Sequence, residues 1–151
     1  MRVHYRMGRL LQGFVGAVLL LACAVVTAQP ALDAARAART VPAALQALGI
    51  SETEATKRVL IDVPDIVDQK SGAWLKIRSE VPGTDLVLVL AEREIPPLLH
   101  LDEFAPTQGD VAKLKLKLSK TSRLRVIVRA SNKYFVVAKE VKVAREETVT
   151  R

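Results

Sequence analysis

Lys113-Leu114-Lys115-Leu116-Lys117-Leu118 alternates charged and apolar residues without exception. Side chains two apart share one face of a β-strand, so this hexamer puts three leucines on one side and three lysines on the other. No helix can segregate that pattern, and a chain that contains it needs a sheet with one dry face. Arg123 to Arg129 repeats the alternation, Ser131-Asn132-Lys133 marks a turn, and Tyr134 to Val143 returns as a β-branched strand. Upstream, Arg58 to Val63 and Ala73 to Val81 read as strands stopped by Pro64-Asp65 and by Pro82-Gly83-Thr84-Asp85. Leu86 to Ala91 is apolar on both faces, which requires cover on both. Leu98 to Leu101 follows Pro96-Pro97, and Pro106 to Asp110 turns the chain again. Strands at this spacing, with turn signals and no helical segment between them, predict an all-β antiparallel sandwich.

The N-terminal third is different in kind. Arg2, Arg6 and Arg9, with no acid among them, precede an apolar run from Leu10 to Val26, and Val26-Thr27-Ala28 offers the small-x-small pattern that signal peptidase accepts. Cleavage after Ala28 is the expectation, giving an exported, periplasmic protein. Two alternatives stay open. The apolar run is near the short end of the ~17 to 25 residues that cross a bilayer, which leaves an uncleaved anchor, and Leu20-Leu21-Ala22-Cys23 resembles a lipobox with Cys23 acylated. Residues 29–56 form a helical arm and linker: Ala31 to Leu48 is rich in Ala and Leu, Pro42 restarts the helix, and Gly49 caps it. The sandwich occupies 57–143 and a polar tail 144–151. Roughly 120 residues after cleavage suffice for one modest core.

Charge and cysteine usage narrow the function. The formal charge of +7 includes Arg2, Arg6 and Arg9, so the 23 basic residues fall to 20 against 16 acidic ones, +4, once that segment is removed. The excess gathers late, between Lys113 and Lys133, but an exported domain with few aromatics to stack on bases is a poor nucleic-acid binder. Cys23 is the only cysteine, so no disulfide forms within the chain. His100, Asp102 and Glu103 come from one short segment and make a weak ligand set, so neither metal nor cofactor is expected. No serine sits in a nucleophile elbow and no glycine-rich phosphate loop is present, which speaks against an enzyme. Trp74 shares a strand face with Lys76 and Arg78, where it is either an interface anchor or is covered by the N-terminal helix.

Ser71-Gly72-Ala73 after Pro64-Asp65-Ile66-Val67-Asp68, then Glu80 to Asp85, Leu90 to Leu99, Glu103-Phe104, Lys117 to Ser122 and Tyr134 to Val143, in that order and spacing, resemble the SoxY family of periplasmic sulfur-carrier proteins of thiosulfate oxidation. The resemblance covers about residues 45 to 143. It implies an immunoglobulin-like sandwich and pairing with SoxZ, a second small sandwich, which would cover the apolar strand. Trp74, Val87 and Val89 are then the expected interface residues. The family's final strand leads into a glycine-rich arm whose cysteine holds the sulfur substrate, whereas Ala144 to Arg151 here contains neither glycine nor cysteine. Glu94-Ile95-Pro96 also replaces the family's asparagine-proline pair. The expectation is an accessory subunit acting by non-covalent pairing, with a generic binding sandwich unrelated to sulfur metabolism as the alternative.

Overall fold

The computed structural model describes residues 29–145. The expected signal segment and most of the polar tail lie outside the described residues. Two helices, α1 (Gln29–Ala37) and α2 (Val41–Ala47), precede seven strands: β1 (Glu54–Ala55), β2 (Val59–Asp62), β3 (Ile66–Asp68), β4 (Ala73–Ala91), β5 (Leu98–Leu116), β6 (Ser122–Ala130) and β7 (Lys133–Ala144). The hydrogen-bonded order is β1-β7-β6-β4-β2, with β5 on β4 and β3 on β7. All pairings are antiparallel except those of β1 and β3, which lie parallel to β7. The all-β sandwich expected from the sequence is present, with these two short parallel strands added.

β4 is a single long strand, where the sequence predicted two with a turn at Pro82-Gly83. Its register on β5 steps from Ser79↔Gly109 to Thr84↔Thr107, so β4 carries extra residues there, a bulge instead of a turn. Side chains supply what the ladder loses. The Ser79 Oγ accepts from the Val81 N–H at 3.2 Å, the Thr84 hydroxyl donates to the Val81 carbonyl at 2.7 Å, and the two hydroxyls meet at 2.7 Å, all buried. Gly83 takes φ +74, open to glycine without strain. The bulge lets one strand serve both layers. Its first half pairs with β2 and the end of β5, and its second half with β6 and the start of β5. β5 likewise runs through the predicted break at Pro106 to Asp110, mostly exposed on both faces over 102–110.

The main core lies between the layers: Val59, Leu75, Ile77 and Leu116 from one, and Val87, Val89, Val126, Val128 and Val141 from the other. A second cluster lies outside the sandwich, where Val41, Ala44 and Ile50 of the arm pack on Leu86, Leu88, Leu90 and Ile127. The arm is held in register by the Thr40 hydroxyl, which accepts from the Ala43 N–H, by Pro42 in the first turn, and by Gly49 at φ +71. The cover demanded by the doubly apolar segment therefore comes from this chain. Alternation in 113–118 holds, with Leu116 and Leu118 buried and the three lysines exposed.

Gly72 is required between β3 and β4. It sits at φ +67, and a Cβ there would collide with the Leu116 carbonyl oxygen. The turn before it is set by Asp68, whose Oδ1 accepts from the Lys70 and Ser71 amides and the Ser71 hydroxyl at 2.7 to 3.0 Å. The Ser71 amide, foremost among these donors, holds the Asp68 carboxyl below its ordinary value.

Candidate partner-docking face

Two of the three interface residues named from the sequence are corrected by the structure. Val87 and Val89 are completely buried, with their side chains in the core between the layers. The opposite face of the same segment, Leu86, Leu88 and Leu90, lies beneath the arm. The doubly apolar segment requires cover on both sides, and this chain supplies both.

Trp74 differs. It is 55% exposed, the only tryptophan in the chain, and stands in the first half of β4, away from the arm. The strand pattern explains this placement: in Ala73 to Ser79 the odd residues Leu75, Ile77 and Ser79 are buried and the even ones point out. Register then assembles the outer face of the β2–β4–β5 layer. Trp74 lies opposite Lys115, Lys76 lies between Asp62 and Lys113, and Arg78 between Leu60 and Asp110. The Lys113 and Lys115 ammonium groups sit 5.1 and 5.8 Å from the indole centroid, in cation–π contact. Arg78 pairs with Asp110 at 3.4 Å, both well exposed. Leu60, 46% exposed, adds apolar surface and was missed in the sequence, because one leucine in a short strand gives no signal of its own.

Elsewhere among the described residues, Ile66 and Ile95 are also exposed large apolar side chains. A cleft of about 650 Å³ between the arm and the β4 and β6 ends is lined by Arg39, Pro42, Leu45 and Arg125, but Arg125 Nε donates to Glu92 at 2.6 Å. A second, about 470 Å³, runs under α1 past Leu101 and Tyr134 to Arg129. Arg129 Nε donates to Asp85 at 2.8 Å, and this bond, the largest influence on the guanidinium, raises its pKa further. No buried side-chain nitrogen or oxygen among the described residues lacks a partner. His100 is half-buried opposite Val89 on β5, and among the described residues no three histidine, cysteine or acidic side chains converge as a metal site. Glu94 accepts from the Ser119 amide and hydroxyl at 2.7 and 2.9 Å, fixing the loop where the sequence departs from the family pattern. No described helix is long and apolar enough to cross a membrane.

Among solved structures, the fold is similar to the sulfur carrier protein SoxY from Chlorobium limicola f thiosulfatophilum, with a TM-score of 0.60 at 22% identity over 67% of this chain and 93% of that one. Superoxide reductase (neelaredoxin) from Ignicoccus hospitalis gives a TM-score of 0.49 at 21% identity, over 59% and 82% of the two chains. No curated protein matches the sequence. The family model described as sulfur oxidation protein SoxY matches residues 33–145, from within α1 past the end of β7 and including the whole Trp74 face. The chain belongs to the SoxY family of sulfur oxidation proteins.

Proposed function

We propose that this protein is an exported, non-enzymatic subunit of thiosulfate oxidation that pairs non-covalently with a SoxZ-like sandwich and does not itself carry sulfur on a thiol. One observation carries the reading: the SoxY match spans residues 33–145, and none of those residues is a cysteine. Covalent sulfur carriage requires a thiolate that forms and exchanges an S–S bond, and no other side chain substitutes for it. What a SoxY-type sandwich retains without the thiol is its surface. The arginine-bearing N-terminus followed by the apolar run supports export to the periplasm. The family match weighs against a binding module unrelated to sulfur metabolism.

The test is to incubate the purified protein with a SoxZ-like partner, thiosulfate and the oxidising enzymes. Size-exclusion chromatography should show a stable complex, while the intact mass of this chain stays unchanged. A sulfur adduct on residues 29–151 would overturn the non-carrier assignment, and the absence of any complex would overturn the pairing.

A further inference from the structure

The geometry points to the outer face of the β2–β4–β5 layer, centred on Trp74, as a docking site for an acidic protein surface. This rests on the pairing reading above and names the surface and the partner chemistry. Three features of the face require explanation together. A large aromatic residue on the middle strand of the layer stands half in water. Lys76 and Lys113 face each other directly across the β4–β5 pair, a like-charge juxtaposition that weakens strand pairing. Among the described residues none of Lys76, Lys113 and Lys115 is ion-paired with a carboxylate.

Edge protection accounts for part of this. β5 pairs only with β4, and lysines on an unpaired edge discourage aggregation. It does not account for Trp74, which pairs with Lys115 just beyond the end of the β2–β4 pairing, because an indole carries no charge to discourage edge pairing. Nor does the fold need the indole, since its strand is held by Leu75 and Ile77 on the buried side. An exposed tryptophan ringed by cations is the composition of an interface anchor, with the ring supplying desolvated area and the ammonium groups complementarity to carboxylates. The face is net cationic, with Lys76, Arg78, Lys113 and Lys115 against Asp62 and Asp110, so laying it on a second copy of itself opposes like net charge, whereas an acidic partner is complementary.

Trp74 is also the probe. As the sole tryptophan its fluorescence reports on this face alone, and Trp74→Phe separates its signal from any tryptophan of the partner. The full-length protein, Trp74→Ala, Lys113→Glu with Lys115→Glu, and the control Lys133→Glu at the exposed start of β7 should first give matching circular dichroism spectra. Each is then titrated with the SoxZ-like sandwich at about 0.1 M and about 1 M salt, between which the screening length falls from about 10 to about 3 Å. Binding should protect Trp74 from acrylamide and weaken at high salt. Trp74→Ala and the double charge reversal should each raise Kd roughly tenfold or more, with the control unchanged. A wild-type complex in which Trp74 stays quenchable, or that both variants form with unchanged affinity, overturns the docking face and leaves the pairing intact. No complex with the wild type overturns the pairing reading, and the docking face falls with it.

Discussion

Leu88→Ala tests whether the N-terminal arm is a structural part of the domain. Leu88 is completely inaccessible and packs with Val41, Ala44 and Ile50 on the side of β4 away from the main core. Truncating a buried leucine costs about 2 to 5 kcal/mol, set by how far the surroundings collapse into the space. Here one wall of the site is a seven-residue helix, able to settle inward, so the lower part of that range, about 2 to 3 kcal/mol, is expected. Leu75→Ala, enclosed between two sheet layers, should cost about 4 kcal/mol. At about 4 °C per kcal/mol for a domain of this size, Leu88→Ala lowers Tm by roughly 10 °C. Urea denaturation monitored by far-ultraviolet circular dichroism gives the free energy, and double-mutant cycles give the wiring. Leu88 should couple to Val41→Ala by at least about 0.5 kcal/mol, whereas Leu88 and Leu75, in separate clusters, should add within about that amount. A loss below about 1 kcal/mol for Leu88→Ala, with no coupling to Val41, would mean that the arm does not cover this face.

The alternation in β5 predicts that Leu116→Lys unfolds or strongly destabilises the domain while Lys115→Leu does not, and equal thermal shifts would refute the assigned faces. Asp68, with its carboxyl pKa lowered chiefly by the Ser71 amide, contributes stability that is fully present above the ordinary carboxylate range and is lost as pH falls through its lower folded value. Asp68→Asn should therefore flatten the acid limb of a Tm-versus-pH curve below about pH 4, and an unchanged limb would refute the assignment. Cleavage after Ala28 predicts an N-terminus at Gln29 on sequencing, and a form that retains Leu10 to Val25 or is acylated at Cys23 would refute it.

What was legible in the sequence was local. Lys113 to Leu118 and Arg123 to Arg129 have a period of two, and each buries the expected side. Ser131-Asn132 reads as a turn and is one, both residues at positive φ between β6 and β7. What failed depended on partners distant in sequence. Pro82-Gly83 has the composition of a turn, and only the Ser79 and Thr84 hydroxyls, closing on the Val81 backbone, make it a bulge. Residues 102–112 of β5 belong to a strand paired on one side only, and with both faces of 102–110 largely in water no alternation marks them. β1 and β3 are two and three residues long and exist because β7 offers them an edge. Leu86 to Ala91 correctly required two covers, but the Val87 and Val89 face goes to the opposing layer and the Leu86 face to the arm, destinations that composition does not encode.

That destination changes what pairing must accomplish. Had the doubly apolar segment been open, a partner would be needed to fold the domain, and the complex would resemble a divided core, obligate and insensitive to salt. With Leu86, Leu88 and Leu90 beneath the arm, the domain has closed its own core, and the surface left for a partner lies along the other half of β4. That surface is cationic around one exposed aromatic residue, so the docking proposed above predicts an association that is reversible, steered by charge and concentrated in few contacts. The bulge at Ser79 to Thr84 divides the strand: the half beyond it is buried on both faces, while the half before it buries Leu75 and Ile77 and leaves the face of Trp74, Lys76 and Arg78 in solvent.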